Sequence, residues 1–353
     1  YTDLFYLLDI ILIMIDKIND HFILVDKCAD QTRIIEILSH KIIKMIFWFD
    51  KYPPLIGSVH SAIIIKKLNG GVVRAKIEDK TILSVRGISK SLNVNNKIRV
   101  IITSEKFEDK PIQARMLPTN SKNYEVLDVV QRIINLFFTK NIPVIEDMYA
   151  IYWNNLDLDS QFIAALQPKI ELSDGGLIWI EKTRAATLID IDTHKLLLKS
   201  EEEILEFCKR AFVRCAKEIK LRNIGGMIII DFPRMSYNRK KHLHQNITEI
   251  GKQYFFDANF LGFSRLVLYE MYIPRNFGSL ESFYVDRNSY NFQNHIRSLW
   301  RKSKELKSKN NVQFLCGTTL FKNLKSRKVP PFINIVERLD FPDDHGELME
   351  IKR

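Results

Sequence analysis

The sequence predicts a multidomain chain of mixed α+β and α/β class, with an OB-type β-barrel inserted near the N-terminus ahead of an α/β domain. Two observations predict it. The first is a pair of apolar runs that each deliver an aspartate, Thr187-Leu188-Ile189-Asp190-Ile191-Asp192 and Leu221-Arg222-Asn223-Ile224-Gly225-Gly226-Met227-Ile228-Ile229-Ile230-Asp231-Phe232, with a helical pattern between them. Strand, helix, strand order makes two parallel neighbours whose carboxyl ends share one sheet edge. The second is a series of short β patterns over 56–117, separated by Asn-Gly-Gly, Glu-Asp-Lys and Asn-Val-Asn-Asn turns, which is the spacing of a small barrel.

In chain order, residues 1–20 read as an amphipathic helix or extension, too short and too charged for a membrane span. Strands are expected at 22–25, 33–38 and 44–49, and Pro53-Pro54 marks a boundary. The barrel strands fall at 61–67, 72–77, 81–85 and 97–103. Lys66, Lys67, Arg74 and Lys76 give them charge for nucleic acid, but no aromatic residue is present there to stack on bases. A helix is expected at 122–140, Pro143 breaks it, and 144–170 read as mixed loop and helix. The helix between the two aspartate runs opens with Ser200 and Glu203 in capping-box spacing and buries Ile204, Leu205, Cys208, Ala211, Phe212, Cys215 and Ile219. In 276–353, Arg297, Arg301, Lys302, Lys304, Lys307 and Lys309 crowd a basic helix that suits phosphate or water equally, and 333–339 reads as a strand. These readings divide the chain at 1–54, 55–118, 119–170, 171–275 and 276–353.

At 46% hydrophobic and 27% charged, the composition is that of a globular chain and excludes wholesale disorder. The net charge of +11 favours nucleic acid, an anionic surface or acidic proteins as partners. The four cysteines, Cys28, Cys208, Cys215 and Cys316, show no CxxC spacing. Neither a zinc knuckle nor a redox pair is indicated, and such usage suits a reducing cytoplasm. Two carboxylates at one sheet edge repel each other unless a cation sits between them, and hard oxygen ligands suit Mg²⁺ or Mn²⁺. A strand-end aspartate serves equally well as a helix cap or turn residue. With the basic balance, the sharper reading is a metal-dependent enzyme acting on a polyanion.

The stretch Ser173-Asp174-Gly175-Gly176-Leu177-Ile178-Trp179-Ile180-Glu181, continuing to Asp192, resembles the segment of the ribonuclease E/G family that ends in its first metal-binding aspartate. Residues 220–232 resemble the segment with the second, and Phe263-Ser264-Arg265-Leu266-Val267-Leu268-Tyr269-Glu270-Met271 is similar to a later family strand. Weaker likeness covers 26–38 and Pro54-Leu55-Ile56-Gly57-Ser58-Val59. The resemblance implies an endoribonuclease that cuts single-stranded RNA with Mg²⁺. It implies a DNase-I-like α/β catalytic domain with RNase-H-like remnants around an RNA-binding barrel. Asp190 and Asp231 match the metal-binding aspartates, and Asp192 adds a carboxylate where larger members carry Asn. Lys182, Arg184 and, less directly, Arg222 become candidate phosphate contacts.

The chain also departs from the family. Met271 is followed by Tyr272-Ile273-Pro274-Arg275, not by the CPxC segment through which larger members share zinc, so neither zinc nor a zinc-linked dimer is expected. The region between the barrel and residue 171 is too short for the family's 5′-end sensor. Barrel positions that hold aromatics in the family are Lys76 and Ile82 here. Those departures motivate a second reading, an RNA-binding relative with reduced or lost catalysis. A third is a structural ribosome partner held by the basic C-terminal region.

Overall fold

In the computed structural model, residues 20–28, 31–49, 56–78, 80–89, 91–104, 111–118, 128–147, 150–275, 278–284, 293–298, 300–301, 312–325, 333–343 and 345–350 are described. The expected extension at 1–19, the Pro53-Pro54 boundary, residues 122–127 of the expected helix and the basic run at Lys302, Lys304, Lys307 and Lys309 lie outside them. The chain forms two units, one drawn from 1–47, 143–167 and 280–353, the other from 48–142 and 168–279. It crosses between them inside the region expected to be a simple connector.

Mostly apolar runs build β1 (His21–Cys28) and β3 (Lys41–Phe49), while β2 (Gln31–Leu38) buries Gln31, Thr32, Arg33 and Glu36 alongside Ile34, Ile35 and Ile37. β1 and β2 pair antiparallel, from His21 opposite Leu38 to Cys28 opposite Gln31. Both are buried along almost their whole length, as strands covered on two faces must be.

Alternation takes over in β4 (Val59–Lys67), β5 (Val73–Lys76), β6 (Ile82–Arg86), β7 (Lys97–Ser104) and β8 (Ile112–Met116). These close a five-stranded barrel in the order β4-β5-β6-β8-β7. Its interior is filled by Ala62, Ile64, Val73, Ala75, Leu83, Val85, Ile98, Val100, Ile102, Ile112 and Ala114. Such a closed barrel is consistent with an OB-type domain. β8 is the strand the sequence reading omits. Its Ile-Gln-Ala-Arg-Met alternation is short and half polar, and it is held by pairing parallel to β6 and antiparallel to β7. Helix α1 (Val129–Phe137) follows, capped by the Asp128 side chain, which accepts from the Val130 amide.

β9 (Val144–Glu146) returns to the first unit and pairs parallel with β1. It completes the order β3-β2-β1-β9. Helices α2 (Ile151–Asn155) and α3 (Leu158–Ala165) follow.

The second unit resumes with β10 (Lys169–Glu171), β11 (Leu177–Lys182) and β12 (Ala186–Asp192). Then come α4 (Glu201–Leu221), β13 (Gly226–Asp231), α5 (Tyr237–Tyr254), β14 (Asn259–Phe263) and β15 (Tyr269–Ile273). Ser200 Oγ caps α4 by accepting from the Glu203 amide, as the capping-box spacing predicts. Leu221 belongs to α4, so the second aspartate strand is shorter than the apolar run and starts at Gly226. The six strands lie in the order β10-β11-β12-β13-β15-β14, and only β12 and β13 are parallel. Ile178, Ile180, Ile189, Ile191, Ile228 and Ile230 form one core with Phe207, Cys208, Phe212 and Cys215 of α4 and Leu243 and Ile247 of α5. The helices cover that face, and alternate side chains of the same strands stand on the other.

The last elements are α6 (Leu280–Phe283), β16 (Val312–Cys316), α7 (Thr318–Lys325), β17 (Ile333–Glu337) and β18 (Gly346–Glu350). They give a three-stranded sheet, β17-β16-β18, with β16 and β17 parallel. Residues 293–298 are helical, and here the structure corrects an expectation. Arg297 and Arg301 are not a solvated or phosphate-facing pair, because both ion-pair with the fully buried Asp26 of β1. Burial alone pushes the Asp26 carboxyl up, but the Arg297, Arg33 and Arg301 charges outweigh it and hold it below its ordinary value.

Candidate active site

Pairing of β12 with β13 runs from Ala186 opposite Met227 to Asp190 opposite Asp231. The two carboxylates therefore sit side by side at the carboxyl ends of parallel strands, one strand spacing of about 4.8 Å apart in the backbone. Ile189, Ile191 and Ile230 point into the core, which leaves Asp190, Asp192 and Asp231 on the open face. The Asp190 carboxyl lies above its ordinary value, first through lost solvation and then through the Asp231 and Asp192 charges. Repulsion of this kind is what a cation between two acids relieves.

Asp192 has another task. Its Oδ1 accepts from the His194 amide at 2.8 Å and closes the turn that leaves β12, where His194 takes a left-handed backbone with φ of 49°. Among the described residues, no three His, Cys, Asp or Glu side chains converge as a metal cage. What could hold a cation is thus the Asp190–Asp231 pair, with Asp192 beside it and half committed to a turn. Two carboxylates suit Mg²⁺, which keeps several waters and completes its shell with substrate oxygens.

The basic candidates fall in three places. Lys66 and Lys67 end β4, opposite Arg74 and Val73 of β5, and Lys67 also donates to Asn93. Lys76 stands between Ile63 and Ile82, and the three form an exposed row across β4, β5 and β6. Lys182 and Arg184 lie at the far end of the β11–β12 hairpin, since Lys182 pairs with Thr187 while Asp190 pairs with Trp179. Three residues of strand put Lys182 about 10 Å along the sheet from Asp190. Its Nζ donates to Ser279 Oγ. Arg222 has a different part from the expected one. It is 1% exposed, and its guanidinium pairs with Glu218 on α4 at 3.0 Å, so it faces the interior. Trp179 is not singled out by sequence reading. Yet the alternation Ile178-Trp179-Ile180 already places it on the open face, directly across from Asp190.

Residues 89–276, more than half of the chain, match the family model described as "Ribonuclease E/G family". The chain is 30% identical over 203 residues to the ribonuclease G of Haemophilus influenzae, a match covering 48% of this chain and 41% of that protein. It is 34% identical over 132 residues to ribonuclease G of Escherichia coli, covering 35% and 26%. Ribonuclease E of Synechocystis is 43% identical over 79 residues, covering 21% and 11%. The matches thus span less than half the length of these curated relatives.

Proposed function

Because the chain belongs to the ribonuclease E/G family, we propose that it is an endoribonuclease, cutting single-stranded RNA with Mg²⁺ or Mn²⁺ at the Asp190–Asp231 pair. The observation that supports this most is the register of that pair. Two carboxylates stand side by side on parallel strands, on the sheet face opposite the covering helices, in a chain of net charge +11. A binding surface for RNA gains nothing from acids aimed at phosphate, whereas a cation site needs them.

Asp190 and Asp231 would hold the cation, with the second oxygen of Asp192 at hand. A bound divalent ion lowers the pKa of a coordinated water and stabilises charge developing on the phosphate. The protein's own share is to fix the two carboxylates on a rigid sheet and to bring RNA to them. Lys66, Lys67, Arg74 and Lys76 on the barrel, with Lys182 and Arg184 on the hairpin, supply phosphate contacts. No helix among the described residues is long and apolar enough to cross a membrane. The test is incubation of the purified chain with labelled unstructured RNA in Mg²⁺, Mn²⁺ or EDTA. Cutting that continues unchanged in EDTA overturns the metal requirement. Binding without any cutting turns the reading into that of an RNA-binding relative.

A further inference from the structure

The open face of the six-stranded sheet has a composition of its own. Across three neighbouring strands Trp179, Asp190 and Asp231 stand in one row, set by the pairings of Trp179 with Asp190 and of Asp190 with Asp231. The next row holds Glu181, Leu188, Ile229 and Glu270. Trp179 is 36% exposed and its diagonal neighbour Leu188 41%. Among the described residues no aromatic ring or cation stacks on the Trp179 indole. An indole 36% exposed on this face, beside two carboxylates, presents apolar surface that no ring or cation of the described residues stacks on.

We propose that Trp179, with Leu188 as a ledge, is a base-stacking residue that seats a nucleotide of single-stranded RNA next to the bond cut at Asp190 and Asp231. The inference rests on the endoribonuclease reading of that pair. Position chooses RNA over a protein segment as the occupant, since the indole stands in the same row as the pair assigned to cut it. Carboxylates at Asp190, Asp192, Asp231 and Glu181 repel the RNA backbone, and the cations of this hairpin lie at its other end. A nucleotide can therefore be gripped here only through a neutral surface, and a base has one to offer an indole. The barrel strands carry no Phe, Tyr or Trp, so this ring supplies a stacking surface that those strands offer little of.

The experiment uses the full chain, a short unstructured RNA, and the same RNA carrying one abasic nucleotide moved stepwise along it. Wild type should lose roughly tenfold or more in kcat/KM when the abasic site falls at one position beside the cut, the size of one base stack. Trp179→Ala should show that loss on intact RNA and no further loss on the abasic RNA. Trp179→Phe should restore most of the rate and the sensitivity. Binding is read separately in EDTA, with 2-aminopurine at the same position: its fluorescence should be quenched by wild type and Trp179→Phe and not by Trp179→Ala. Quenching without any cutting supports the stacking site while sinking the endoribonuclease reading. Unchanged cleavage and quenching in Trp179→Ala overturns the proposal. So does a loss of self-association in that variant with RNA handling intact, which would assign the face to a second copy of the chain.

Discussion

Asp190, Asp192 and Asp231 differ in what each already does in the fold. Asp192 spends one oxygen on the His194 amide, while the Asp190–Asp231 pair is held together by register and pushed apart by charge. Asp190→Asn and Asp231→Asn should each cut the cleavage rate about 10³-fold or more, with RNA affinity equal or slightly higher because a repelling charge is gone. Asp192→Asn should cost less than about tenfold, since an amide oxygen still accepts from His194 and the two main donors remain. Single-turnover cleavage and filter binding read both quantities. An Asp192→Asn loss as deep as that of Asp190→Asn would mean that the ligands are misassigned. Arg222 belongs to the same scale. Glu218, its 3.0 Å partner, is almost fully buried and also pairs with Arg214 at 2.7 Å. Arg222→Ala should therefore destabilise by about 2–4 kcal/mol in urea unfolding, leaving Glu218 half paired. Its RNA affinity under folding conditions should match wild type. A clear weakening of RNA binding there would return Arg222 to the phosphate contacts.

The elements are joined where side chains cannot be changed freely. Gly226 opens β13 with φ of 97°, and a Cβ built there would meet the Arg275 guanidinium at 2.2 Å, while Arg275 Nε donates to the Gly225 carbonyl. Gly226→Ala combines a disfavoured backbone with displacement of that arginine. It should lower stability by about 1–3 kcal/mol in thermal or urea unfolding. A neutral result would mean that Arg275 has room to move. The β1–β2 hairpin is tied to the helical segment at 293–298 by Asp26, flanked by Arg297 and Arg301. Its carboxyl is depressed in the folded chain. The stability it contributes is therefore fully present above the unfolded carboxylate value near pH 4 and is lost as pH falls through the lower folded value. Asp26→Asn should lose about 3–5 kcal/mol at pH 7 by leaving buried arginines uncompensated, and the gap to wild type should narrow in acid. Unfolding curves from pH 7 down to about pH 2 read this, and a gap that stays constant would refute the assignment.

At the scale of the molecule, the net charge of +11 is less available to RNA than its size suggests. Arg33, Arg222 and Arg297 are all but fully buried, and Arg301 pairs with Asp26. Binding should depend on the barrel cations. Replacing Lys66, Lys67 and Lys76 together by Ala should reduce the slope of log K against log salt by about 2, near 0.7 for each lost phosphate contact on a single strand. Titrations between about 50 and 200 mM salt measure this slope. An unchanged slope would place the RNA track elsewhere.

Local pattern alone determined several features of this protein. Apolar runs with a helical pattern between them specified two parallel aspartate strands, because a strand–helix–strand unit has one favoured pairing. The Ser200–Glu203 spacing specified the start of α4, and turn-separated alternation specified a barrel. The tertiary structure decided what depends on contacts distant in sequence. It closed the barrel with β8, a strand too short and polar to stand out, through partners at β6 and β7. It drew Arg297 and Arg301 inward to an aspartate more than 250 residues earlier in the chain. It buried Arg222 against Glu218 and set Lys182 and Arg184 at the far end of the hairpin from Asp190. A cation in a sequence looks the same whether it meets water, phosphate or a buried acid. Only the packing around it, where desolvation must be offset by a partner, distinguishes the three.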